Sequence, residues 1–175
     1  MSSDWSWLPP MAVVSPWTEG TYDMLYGIFR RDFVTTRPRY CGREVWHFPE
    51  MEDGKEALFW HLTSREVKPK AVPRRMRRVL PMPAEEPGRY PDLRRCERLP
   101  WVRPMIENSQ SEGVLAWDYL EGSSSTHTYV WLRELGFVTI MKKYADGARR
   151  LVTSFYVDKD YKRRDFERKY SNRLS

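Results

Sequence analysis

Residues 114–157 read VLAWDYLEGSSSTHTYVWLRELGFVTIMKKYADGARRLVTSFYV, and their pattern decides the expected fold. Four runs in this stretch, 114–120, 126–135, 137–144 and 149–157, are dense in β-branched and aromatic side chains, which suit a pleated, half-buried surface. Between them stand Glu121-Gly122-Ser123-Ser124-Ser125, then Gly136, then Ala145-Asp146-Gly147, residue types that turn a chain tightly. Short strands joined by tight turns predict a four-stranded antiparallel meander. The end of the second run, Trp131-Leu132-Arg133-Glu134-Leu135, suits helix or strand equally. In the last run, strict alternation sets Leu151, Thr153 and Phe155 on one face and Val152, Ser154 and Tyr156 on the other. Either Ser154 or Thr153 is therefore expected on the open side.

On the C-terminal side, 160–170 (DYKRRDFERKY) is made of good helix formers, with Tyr161, Phe166 and Tyr170 available for docking. Toward the N-terminus, Tyr22, Leu25, Tyr26, Phe29 and Phe33 follow an i, i+3, i+4, i+7 course. That is the stripe of an amphipathic helix over 21–34, read as core and ended by Thr35-Thr36-Arg37-Pro38. Residues 1–20 form an aromatic, proline-rich arm whose Trp5, Trp7 and Trp17 are expected to rest on the domain or to dock a partner. Residues 39–60 suggest strand fragments around an Asp53-Gly54 turn, the second fragment, Leu58-Phe59-Trp60, leading into His61. The expected architecture is α+β: an N-terminal helix, a basic proline-broken middle segment, a four-stranded antiparallel meander and a C-terminal helix. It forms a single domain over 21–175 behind the arm.

The middle segment, 61–104, carries twelve Lys/Arg against five Asp/Glu, a net of +7 in a chain whose total is +6, so the remainder sums to −1. Eight of the thirteen prolines also lie there, which argues against long helix or central strand. Charge concentrated on a loop-rich segment points to a polyanion, and the reading is RNA. The two cysteines, Cys41 and Cys96, supply neither a disulfide framework nor a zinc spacing. With no long apolar run and no leader-like start, the expectation is a cytoplasmic protein with no membrane partner and no cofactor.

Three places could carry chemistry. If 61–65 is extended, His61, Thr63 and Arg65 share a face. Imidazole exchanges protons near neutral pH, a hydroxyl donates to a phosphoryl oxygen, and a guanidinium grips it with two bonds. Those parts suffice to cut RNA without a metal. If 91–101 is helical, Arg94 and Arg98 share a face near Arg95 and Trp101, so a phosphate could be held and a base stacked. The end of the last strand offers Thr153, Ser154 and Tyr156, and Lys142 of the preceding run is a further nucleic-acid contact. His47 and His127 are read as ordinary strand histidines. Glycine-rich phosphate loops, GxSxG, HExxH and paired CxxC motifs are absent from the sequence.

The order of helix, His61-Leu62-Thr63, arginine-rich segment, meander with Leu151-Val152-Thr153-Ser154-Phe155-Tyr156, and basic tail resembles the barnase–EndoU–colicin–RelE superfamily, its phage-associated members in particular. The resemblance implies a small metal-independent endoribonuclease, often a toxin with an inhibitor partner, acting through a cyclic phosphate on RNA such as tRNA or mRNA. By that resemblance His61 is the acid/base, Arg65, Arg95 or Arg98 grips the phosphate, and Thr153 or Ser154 donates to it. The alternatives are a non-catalytic RNA- or DNA-binding module, or an interaction factor for an acidic protein.

Overall fold

The computed structural model describes residues 3–68 and 88–175. In chain order these form α1 (Thr21–Phe29), a π-helical continuation (Arg30–Thr35), β1 (Arg39–Tyr40), β2 (Arg43–Trp46), β3 (Met51–Glu52), β4 (Lys55–Glu56) and α2 (Ala57–Thr63). There follow β5 (Ser64–Val67), β6 (Gly88–Pro91), α3 (Leu93–Glu107), β7 (Val114–Glu121), β8 (Ser125–Leu132), β9 (Phe137–Lys143), β10 (Arg149–Tyr156) and α4 (Asp160–Ser171).

The sheet corrects the expected fold. It has six strands in the order β1-β2-β10-β9-β8-β7, and it is mixed, because β2 runs parallel to β10 through Val45 opposite Arg149 and Trp46 opposite Arg150. Two further helices, α2 and α3, stand where strand and broken loop were expected. In α2 the buried side chains are Leu58, Phe59, Leu62 and Thr63. Their spacing of three to four residues is helical, and Leu58-Phe59-Trp60 alone could not reveal it.

In α3, fifteen residues remain helical with Pro100 and Pro104 inside. Each proline removes one ladder bond, at about 3 kcal/mol. Leu99, Trp101, Val102, Met105 and Ile106 are all buried by the same helix, and each large apolar side chain contributes roughly 1.5–3 kcal/mol. The packing term wins. The other prolines of the middle segment, apart from Pro91, lie in 69–87, outside the described residues.

One face of the sheet, carrying Val130, Leu132, Phe137, Met141 and Leu151, packs on Leu25, Phe29, Phe59, Leu62, Leu99 and Met105 of α1–α3. The other face presents Trp117, Tyr129, Trp131 and Val138, covered in part by Phe166 of α4. Lys169 of α4 donates to Glu121 Oε1 (2.6 Å) and to the Tyr129 hydroxyl (3.1 Å), while that hydroxyl donates to Glu121, so α4 is tied across β7 and β8. The N-terminal arm crosses α3: Ala12 N donates to Glu97 O at 2.8 Å, and the Trp101 indole donates to Pro9 O at 2.9 Å. No described helix is long and apolar enough to cross a membrane.

Candidate nucleic-acid interface

β2 accompanies β10 only as far as Arg150, and at the next step the register slips between Leu151 and Thr153. This bulge inserts Val152 and reverses the alternation beyond it. Ser154 consequently turns into the helical core, fully buried, with its hydroxyl 3.1 Å from Thr139 Oγ1 and 2.9 Å from Val138 O. Thr153 and Phe155 emerge on the other face. Neither of the faces drawn by strict alternation survives.

Past the bulge, the free edge of β10 meets the end of α2 and the start of α3. Ser64 turns extended after α2 (φ −137°, ψ 163°), which leaves the last helical carbonyls without ladder partners. Arg95 Nη1 donates to His61 O at 2.8 Å and to Ser64 O at 3.3 Å, and Thr153 Oγ1 reaches the same His61 carbonyl at 3.4 Å. Asp92 caps α3 by accepting from Arg95 N (3.2 Å) and pairs with Arg95 Nε at 3.4 Å. His61, Arg95 and Thr153 thus converge, but around a backbone oxygen. Much of the Arg95 guanidinium is engaged in holding the end of α2.

The His61 ring lies on the outside of α2, beside a cavity of about 80 Å³ lined also by Phe48, Glu50, Arg150 and Val152. Partial burial, with the charges of Arg89 and Arg95, holds its pKa below the ordinary imidazole value, so it is neutral at pH 7. The expected partnership with Thr63 and Arg65 is corrected. His61 and Thr63 are on a helix, and Thr63 is fully buried with its hydroxyl donating to Phe59 O at 2.8 Å. Arg65 is exposed on β5, opposite Tyr90.

Along the same edge, cations lie over aromatic rings. The guanidiniums of Arg94 and Arg98 sit 4.5 and 4.8 Å from the Tyr156 ring centre. Arg95 and Lys162 each stand 5.6 Å from Phe155. Arg94 is exposed and has no carboxylate partner among the described residues. Arg98 is largely covered, over Trp101 at 5.4 Å and near Glu97 at 3.4 Å. Trp101 itself is 7% exposed, so it offers no open face to a base.

Lys142 stands elsewhere, on β9 in register with His127 and Arg150. Arg89, Arg150 and Lys162 were not singled out from sequence. The one hint for Arg150 is the Arg149-Arg150 doublet following Lys142-Lys143. Lys70, Arg74, Arg75, Arg77 and Arg78 fall outside the described residues. Among the described residues no three His, Cys, Asp or Glu side chains are grouped to hold a metal ion. Comparison with family models, curated proteins and solved structures found no match to this chain.

Proposed function

We propose that this chain binds single-stranded RNA along the free edge of β10. The observation that carries the reading is the run of cation–aromatic couples there: Arg94 and Arg98 on Tyr156, Arg95 and Lys162 on Phe155. Guanidinium groups grip phosphate oxygens, while rings and guanidinium planes stack bases that a duplex keeps hidden. The sequence between β5 and β6 also carries Lys70, Arg74, Arg75, Arg77 and Arg78, which lie outside the described residues. The setting is the cytoplasm, with Cys41 and Cys96 as free thiols. The test is fluorescence anisotropy of a labelled oligouridylate at 50 to 200 mM salt. Affinity should fall steeply with salt, and Arg94→Gln should weaken it about 5–10-fold. Salt-independent binding, or an Arg94→Gln variant that binds like wild type, would overturn the reading.

A second reading, cleavage of the bound RNA, is favoured by the His61 imidazole, whose pKa burial and the charges of Arg89 and Arg95 hold down, on the residue whose carbonyl Arg95 and Thr153 reach. Such a ring can take the 2′-OH proton while arginines steady the phosphate. This is the activity implied by the resemblance to the barnase–EndoU–colicin–RelE superfamily, without Ser154 or Thr63 as donors. In chelator, wild type should yield a 2′,3′-cyclic phosphate end, and His61→Ala should lose product while keeping RNA affinity. Binding without product by wild type would leave the first reading alone.

A further inference from the structure

Two cationic doublets face each other across β9 and β10, with Lys143 opposite Arg149 and Lys142 opposite Arg150. Successive strand residues point to opposite faces, so the two cross-strand pairs lie on opposite sides of the sheet. On the side of the helical core, Asp118 answers both members of its pair, accepting from Lys143 Nζ at 2.8 Å and lying 3.4 Å from Arg149 Nη2. On the far side, Tyr119, His127, Lys142, Arg150 and Trp46 stand in direct register across five strands. There, among the described residues, no carboxylate pairs with Lys142 or Arg150.

What surrounds that second pair is largely aromatic, with Glu50 and His61 also lining the small cavity that Arg150 borders. Lys142 Nζ is 5.3 Å from the Tyr144 ring centre, and Arg150 lies 4.1 Å over Phe48 while its Nε donates to the Tyr144 hydroxyl at 3.0 Å. Trp46 packs against both rings, 5.5 Å from Tyr144 and 5.3 Å from Phe48, and Phe48 is 44% exposed. Like charges directly opposite on neighbouring strands destabilise a sheet. The ring contacts and the Tyr144 hydrogen bond offset part of that cost but leave both charges unneutralised, the kind of local conflict that functional sites carry.

We infer that the sheet face opposite the helical core is a second anion site, where Lys142 and Arg150 hold a phosphodiester of single-stranded RNA and Trp46, Phe48 and Tyr144 receive a base. Paired cations select the anion, and the adjoining rings select a strand with unstacked bases. The inference rests on RNA binding at the β10 edge and extends it. The bulge leaves Arg150 and Tyr156 five rungs apart, about 17 Å, and on opposite faces, so one strand of RNA touches both places by crossing the β10 edge.

The experiment titrates a labelled 12-nucleotide oligouridylate with wild type, Lys142→Gln/Arg150→Gln and Arg94→Gln at several salt concentrations, and records melting temperatures. The double variant should bind at least tenfold more weakly. Its log affinity against log salt should flatten by about 0.7 for the lost phosphate contact. It should melt no lower than wild type, because two like charges have been removed. Unchanged affinity in the double variant beside a weakened Arg94→Gln would overturn the sheet-face site alone. No binding by wild type would remove the β10-edge reading and this one with it. Weaker binding at an unchanged salt slope would mean that no phosphate contact was lost, and would also overturn the site. Polyglutamate competing as well as RNA would assign the face to an acidic protein instead. If the double variant melts early, Phe48→Ser decides. It removes an exposed ring and no charge, so weaker binding at an unchanged slope supports the site and unchanged binding overturns it.

Discussion

Lys143 and Arg149 on one face of the sheet, and Lys142 and Arg150 on the other, are the same residue types one position apart, yet their surroundings are opposite. The first pair closes on Asp118, whose carboxylate also accepts from Thr128 Oγ1 at 2.6 Å, and Arg149 rests 4.4 Å over Tyr40. Side-chain exposure there is 16% for Arg149 and 19% for Asp118, so the charges are substantially removed from water. The second pair meets rings and solvent. Pleating by itself sorts adjacent cations into structural and available ones, and a single carboxylate on β7, across β8 from Lys143, decides which is which.

The largest break in that contrast should come from Asp118→Ala. It leaves two half-shielded cations facing each other without a counter-charge. The expected loss is about 2–3 kcal/mol, somewhat below that for a fully buried pair because Lys143 is partly exposed. Urea unfolding measures it, and a midpoint equal to wild type would show that the cluster carries no stability. Lys142→Gln/Arg150→Gln, on the other face, should lose none.

Acid should dissolve the same contrast in two stages. Burial alone would raise the Asp118 pKa, but hydrogen bonds from Lys143 and Thr128 and the charge of Arg149 outweigh it and hold the value below the ordinary one. A depressed carboxylate contributes stability above its unfolded value, about 3.9, and loses that contribution as pH falls through the folded value. His47, His61 and His127 are all depressed too, chiefly by burial. Their folded forms resist protonation, so stability should first decline as pH falls below about 6.5 and decline again in the aspartate range. Asp118→Asn should shrink the lower stage, to which the depressed carboxyls of Glu121 and Asp165 also contribute, and keep the upper one. Melting curves that do not move between pH 7 and 5 would contradict the histidine assignment.

The smallest effect sharpens the comparison from the other side. Lys142→Glu sets a carboxylate directly opposite Arg150, imitating what Asp118 does across the sheet. Thermal melting should show a gain of about 0.5 kcal/mol, while RNA affinity falls. A destabilised variant would mean that the rings already neutralise the pair.

Much of the candidate site could not be read along the chain. Arg94, Arg98 and Tyr156 were legible as residue types, and their meeting followed once α3 lay beside β10. The role of Arg95 was not legible, because the His61 and Ser64 carbonyls it serves become available only when α2 stops at Ser64. Thr153 and Ser154 exchanged places because a bulge adds one residue without any mark in composition, and everything after it changes face. His61 was placed on a strand because four apolar or aromatic residues in a row fit either state.

By itself the sequence determined where β7–β10 run, the aromatic stripe of α1 and the excess of positive charge, since these depend on side-chain periodicity and turn residues within a few positions. Tertiary structure alone decided that β2 joins β10 in parallel, that two prolines are tolerated in α3, and which hydroxyls and cations reach solvent. Those outcomes rest on contacts between residues tens of positions apart, where burial of a large apolar face outweighs local preference.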